Sequence, residues 1–491
     1  MIAFKRSGPC IWRTIRTLAI LVVAAAPAHA AAQTATMESV TAALSKIEAY
    51  IDEHMQQGMV PGLSVAVVFE DQVVYLKGFG VREEGEPEPV DADTVFQLAS
   101  FSKPISSSVV AAIVDDGETI TWDSRIADID PSFQLFDAYP SEQVTIRDLF
   151  AHRSGLPGNA GNDLEALGYD RDTILHRLRL VPPSSSFRAG YSYSNFGITA
   201  GAVAAAKTTG KAWEDIAEEL LYAPLGMTST SSRYADFLKH DNRAALHVWY
   251  DGRWQALSKR MPDPQAPAGG VSSNARDLAQ WMRLELGNGR YDGEQLIAEA
   301  AIVGTHLPVI RRGNNPFTGA SSFYGLGWAV DYGPQGVVLG HAGAFSNGAR
   351  TVVKLVPSEQ IGIVVLTNAF PTGAPDAVAD TFLDFVFYGV SSRDWLADWN
   401  DHYESLFGPM AAAQKEALGT PPPSPSPALP DDAYTGTYTA CFLATPWLSR
   451  PAEGCRQSSV PEARRFFPSA TSIATSFTTT HMTRCRTFPS P

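Results

Sequence analysis

The sequence predicts an α+β chain: one antiparallel sheet, flanked by helices and built from both ends, with an inserted, mainly helical domain. Residues 63–69 and 73–78 read as two strands joined by Glu70-Asp71-Gln72, a hairpin. Strand-like apolar runs return at 337–339, 351–355 and 361–366. Between them, from about residue 100 to 265, helical patches alternate with long polar loops. Strands at both ends and helices in the middle call for a sheet closed by early and late segments.

The elements follow in order. Lys5, Arg6, Arg13 and Arg16 precede a short apolar run at 18–26, and Ala28-His29-Ala30 offers a small-residue cleavage site. Residues 1–30 therefore read as an export signal, too short in its apolar part to span a bilayer. Residues 31–400 form the main domain, opened by helical periodicity over 37–55. Residues 401–430 read as a helix and a proline-rich, semi-rigid linker (419–430). From about 440 the character changes: three of the four cysteines, Cys441, Cys455 and Cys485, fall in the last stretch, which has few acids and no clear periodicity. Residues 431–491 are read as a small C-terminal module, truncated or aberrant, with a genuine disordered extension as the competing reading.

Composition narrows the partners. Hydrophobic content of 45% and charged content of 18% suit a large buried core. The formal charge is −14; the first 30 residues and the stretch from Cys441 each contribute +4, which leaves −22 on residues 31–440. So acidic a surface argues against nucleic acid and anionic membranes. No cysteine occurs between 11 and 440, so the domain is held by its core without disulfides. No metal-ligand spacing or phosphate-binding glycine loop occurs, and no cofactor is called for. The partner is a small-molecule or peptide substrate, with no stable membrane span after signal cleavage and the oligomeric state left open.

The chemistry concentrates at Ser100 and Lys103. The apolar residues Val109, Val110, Ile113 and Val114 have helical spacing and stop at Gly117. A helix starting near Ser100 brings the lysine amine beside the serine hydroxyl one turn away. Pro104 is tolerated in a first turn. Alone, the pair is equally an ordinary capped helix with a solvated lysine. Two further patches bear on it: Tyr193-Ser194-Asn195 in a polar loop, and His341-Ala342-Gly343 after an apolar run.

In that order and at those separations, the set resembles the serine β-lactamase and penicillin-binding protein superfamily. It is similar to the branch of class C β-lactamases, D-alanyl-D-alanine carboxypeptidases and related esterases. The family pattern S-x-x-K, S-D-N and K-T-G appears here as S-x-x-K, Y-x-N and H-x-G. Residues 145–157 and 268–278 resemble further segments of the family, and Tyr434-Thr435-Gly436-Thr437-Tyr438 resembles the first strand of a β-module appended to some relatives.

The resemblance implies an acyl-enzyme on Ser100, with Lys103 and Tyr193 sharing the proton transfers as a unit. It implies that Asn195 holds Lys103 and the substrate amide. The N–H groups of Ser100 and Ala344 would stabilise the oxyanion, and Gly343 would let substrate approach the strand. His341 replaces a permanent positive charge with a group expected to titrate near neutrality, so attraction for a substrate carboxylate should be partial and pH-sensitive. A triad through His152 and Ser154 is declined, because their loop resembles a structural segment. The substrate expected is a β-lactam or a D-alanyl-type peptide, outside the cytoplasm in the periplasm or medium. A short-chain carboxylesterase and a slowly turning over penicillin-binding protein stand as alternatives.

Overall fold

The computed structural model describes residues 32–419 except 116 and 118. The export signal, the proline-rich linker and the C-terminal module lie outside the described residues. Along the chain run α1 (Met37–Gln56), β1 (Gly62–Phe69), β2 (Gln72–Gly80), α2 (Ser102–Ile113), α3 (Asn195–Thr208), β3 (Leu246–Tyr250), β4 (Arg253–Ser258) and α4 (Ala275–Leu286). Then come β5 (Ile310–Asn314), β6 (Ser321–Tyr324), β7 (Ala329–Gly333), β8 (Gly336–Phe345), β9 (Ala349–Val356), β10 (Ile361–Thr367), β11 (Ala369–Phe370) and α5 (Ala374–Tyr388). Shorter helices fill the middle of the chain.

Eight strands form one antiparallel sheet in the order β2-β1-β10-β9-β8-β7-β6-β5. The early strand β1 lies directly against the late strand β10, with Leu63 opposite Thr367 and Phe69 opposite Ile361. This is the closure from both ends that the sequence predicts. The β1–β2 turn is tighter than expected: Glu70 and Asp71 both take positive φ, as a two-residue hairpin demands, without a glycine.

Residues 63–69 are apolar almost throughout because both faces of the sheet are covered. Val65 and Val67 face a core shared with Ile47 of α1 and Phe382 of α5. Ala66 and Val68 face the opposite core, shared with Trp281 and Met282 of α4 and with Phe101. Period-two alternation of polar and apolar residues would fail here on either side.

The structure adds strands that the sequence did not announce. β5, β6 and β7 extend the sheet at its far edge, and β3–β4 form a small sheet with β11 inside the region read as helical. β5 has the sequence Ile310-Arg311-Arg312-Gly313-Asn314, too short and polar to stand out by pattern. Among the described residues no helix is long and apolar enough to cross a membrane.

Candidate active site

Ser100 sits in a 3-10 turn, Ala99–Phe101, that leads directly into α2. Ala99 is held at φ +49°, a left-handed conformation that costs a residue with a side chain roughly 1–3 kcal/mol. Three contacts hold the turn. Leu98 N–H donates to Val271 O (2.9 Å), Thr351 Oγ1 donates to Leu98 O (2.7 Å), and Phe101 N–H donates to Leu98 O (3.3 Å).

One turn on, the Lys103 side chain is fully buried. Its Nζ lies 2.7 Å from Asn195 Oδ1, 2.8 Å from Ala268 O and 3.0 Å from Ser100 Oγ. Burial drives the amine well below its ordinary pKa, towards the neutral form. A neutral amine has two N–H groups and one lone pair. Asn195 Oδ1 and Ala268 O can only accept, so they take both N–H groups, and the lone pair is left facing the Ser100 hydroxyl.

On the other side, Tyr193 OH lies 2.7 Å from Ser100 Oγ. Burial raises the phenol far above its usual range, so it stays protonated and donates. With the amine in that neutral form, the chain of protons runs from Tyr193 O–H to Ser100 O, and from Ser100 O–H to Lys103 N.

Tyr193 is fixed from behind by His152. Ser192 N–H donates to His152 O (2.8 Å) and Ser194 N–H donates to His152 Nδ1 (3.0 Å), so both amides flanking Tyr193 end on one residue. The two rings are tilted at 4.5 Å between centroids. Because Nδ1 accepts, the ring is the Nε2–H tautomer, and burial holds its pKa well below the ordinary value. His152 itself sits at φ +56°. Asp148, whose carboxylate is completely buried, anchors this loop by binding Arg153 (2.6 Å) and Arg188 (2.7 Å). Burial works to raise the Asp148 pKa, but Arg188, the Thr145 amide and Arg153 outweigh it and leave it lowered.

Asn195 opens α3, whose N-terminus is capped by Ser194 accepting from Gly197 N–H (3.1 Å). The cap turns the Asn195 side chain under Lys103.

β8 completes the arrangement. β7 accompanies it only as far as Gly340, so the edge of residues 341–345 is free of β7 and runs beside the nucleophile turn. Ser100, Asn195, Gly269, Ala344 and Phe345 line a cavity of about 420 Å³. Glu165 lies in the same wall and receives Arg260 Nη2 (2.6 Å) and Gln265 Nε2. Burial raises the Glu165 pKa.

Two expectations change. His341 was expected to titrate near neutrality, but its ring is buried, and burial holds its pKa well below the ordinary value. Nδ1–H donates to Ala342 O (2.9 Å), and Nε2 accepts from Tyr324 O–H (2.9 Å). The ring is neutral, with both nitrogens engaged inside the protein. Gly343 was expected to admit substrate, yet a Cβ there would lie 2.0 Å from Leu98 O. It is the nucleophile turn that needs the missing side chain.

The structure brings Ser100, Lys103, Tyr193 and Asn195 into one network, with Ala344 on the cavity wall and His341 and Gly343 behind it. Sequence reasoning missed Ala268 O, because a carbonyl carries no residue signature, and the part of His152 beside Tyr193. The run His152-Arg153-Ser154-Gly155 was the available signal. No His152–Ser154 triad exists: Nδ1 of His152 is taken by Ser194, and Ser154 Oγ accepts from Leu156 N–H (3.3 Å).

An α+β fold with a buried lysine, a tyrosine and an asparagine around one serine fits a class of serine acyl-transfer enzymes. The sequence profile of the Beta-lactamase family matches residues 47–386, and the chain belongs to that family. It is a serine hydrolase of the acyl-enzyme type. It is similar to the unguisins hydrolase of Aspergillus campestris, at 28% identity over 79% of this chain and 74% of that protein. Penicillin-binding protein 4 of Amycolatopsis lactamdurans is 26% identical over 77% of this chain and 93% of its own. Among solved structures, a class C beta-lactamase superposes with a TM-score of 0.58 at 20% identity, covering 70% of this chain and 96% of that one.

Proposed function

We propose that this hydrolase is exported and cleaves an amide of a β-lactam or a D-alanyl-type peptide, with a peptide that has no free carboxylate beside the scissile bond favoured. Ser100 Oγ attacks the carbonyl and passes its proton to Lys103 Nζ. Tyr193 protonates the leaving amine, and the same groups then activate water to release the acyl group. The N–H groups of Ser100 and Ala344 receive the oxyanion. The observation that carries this reading is the buried Lys103 Nζ, 3.0 Å from Ser100 Oγ, with Asn195 Oδ1 and Ala268 O placed to accept its N–H groups.

The neutral, internally bonded His341 lowers the standing of any substrate with a carboxylate beside the scissile amide, a penicillin or a peptide cut next to its free C-terminus, because that carboxylate finds no charge on the ring. The same observation favours one alternative, turnover of uncharged short-chain esters.

The test is a substrate panel of nitrocefin, D-alanyl peptides and p-nitrophenyl acetate, with mass spectrometry of the intact protein after exposure to penicillin. Peptide turnover, with any adduct confined to Ser100 and lost in Ser100→Ala, supports the proposal. Fast nitrocefin turnover identifies a β-lactamase, a long-lived penicillin adduct without turnover a binding protein, and ester turnover alone an esterase. An adduct that survives Ser100→Ala overturns the assignment of the nucleophile.

A further inference from the structure

Beside the catalytic cavity lies a second hollow about three times as large, near 1300 Å³, and Arg260 lines both. The junction is built from fixed contacts. Arg260 reaches Glu165 in the catalytic wall (2.6 Å), and its guanidinium lies 5.2 Å from the Phe345 ring centroid. Asn347 of the catalytic cavity donates to Lys259 O (3.3 Å), and Lys259 lines the larger hollow.

A small substrate has no use for the second space. The catalytic cavity already falls within the size range of pockets that enclose a drug-sized molecule. The walls of the larger hollow present three large apolar side chains to solvent: Leu238 (45% exposed), Leu257 (57%) and Met261 (50%). Its lining side chains carry four positive and four negative charges, so it selects neither a polyanion nor a polycation. Ala256 and Leu257 belong to β4, an outer strand of the three-stranded sheet that pairs with β3 alone. An outer strand offers backbone donors and acceptors to an extended chain, and neighbouring apolar side chains receive alternate residues of it.

We propose that this hollow is the binding groove for the remote part of an extended peptide substrate whose scissile amide lies at Ser100. The ligand class is a peptide of several residues carrying apolar side chains, without strong net charge. The inference rests on the acyl-enzyme reading of Ser100 and adds to it where the substrate's length is recognised.

The experiment compares the wild type with Leu238→Asp, Leu257→Asp and the double variant on three probes: p-nitrophenyl acetate, p-nitrophenyl laurate and fluorogenic peptides of two to eight apolar and neutral residues. Wild-type kcat/KM rises with peptide length. The double variant loses about tenfold or more on the longest peptides, on the scale of one lost apolar contact or a few, and stays within about twofold on the acetate. Both side chains are exposed, so thermal melts remain at the wild-type value. Equal losses on acetate and peptides, or peptide rates independent of length, overturn the groove while leaving the Ser100 reading intact. A loss confined to the laurate reassigns the hollow to an acyl chain and overturns the peptide. Failure of every probe to react with Ser100 removes both readings together.

Discussion

Replacing Gly343 by alanine puts one methyl group where β8 touches the nucleophile turn. The new Cβ would lie 2.0 Å from Leu98 O, 2.4 Å from Thr351 Oγ1 and 2.9 Å from Phe101 N. Two of these are backbone atoms, and the third donates the hydrogen bond that holds Leu98 O. Ordinary contact begins at 3.4 Å, so strand and turn must separate by about 1.4 Å, which a close-packed interior resists. Overpacking of this kind costs about 1–3 kcal/mol. For a domain of this size that lowers the melting temperature by about 1–4 °C. The kinetic effect is larger, because Ser100 and Ala344 stand on the two parts being driven apart. A displacement of about 1 Å costs on the order of 100-fold in rate. The assay is kcat/KM on p-nitrophenyl acetate beside a circular-dichroism melt. Gly304→Ala, in the helix Glu299–His306 with nothing within 4 Å of its Cβ, serves as control and keeps full activity. Gly343→Ala with wild-type kcat/KM would refute the claim that this glycine sets the spacing between strand and nucleophile.

Four further outcomes follow. His152→Ala removes the acceptor of Ser194 N–H and the ring packed beside Tyr193, while the bond from Ser192 N–H to the backbone carbonyl stays; we expect kcat to fall about tenfold or more with KM little changed. His152→Asn, whose Oδ1 can accept from Ser194 N–H, recovers part of that loss in steady-state kinetics. Burial lowers the Lys103 pKa well below the ordinary 10.5, so the unfolded state binds more protons between that depressed pKa and 10.5. The wild-type melting temperature therefore climbs with pH through that window and falls back as pH drops; in Lys103→Met the slope is lost along with activity. His152 and His341 are likewise depressed, so melts taken below pH 6.5 fall by up to about 1.4 kcal/mol per pH unit for each ring, and His341→Gln removes one share. Finally, Asp376→Ala strands the buried Arg350, which it holds through two bonds of 2.9 Å, and urea unfolding should show a loss of about 3–5 kcal/mol.

The readable parts of the site were those with a local pattern. Ser100 and Lys103 are three residues apart on a helical segment, and Tyr193 and Asn195 flank a helix cap; such spacings survive any tertiary arrangement. The closure of the sheet by β1 and β10 was legible too, because strands covered on both faces are apolar throughout. The edge strand β5 was not, since its residues are polar and exposed and resemble a loop. Ala268 O could not be read from residue type, because every residue has a carbonyl.

By itself the sequence determined which side chains the candidate site would draw on and the order in which the chain presents them. Only the tertiary structure decided their protonation. The Lys103 amine has its pKa lowered, and His341 accepts from Tyr324 O–H inside the protein, because of what surrounds them, and burial is a property of packing from distant parts of the chain. The same holds for Gly343, whose missing side chain is needed by Leu98 and not by substrate. A residue's identity fixes what it can donate or accept, and its neighbours, brought in for Lys103 from 92 and 165 residues away, fix what it does.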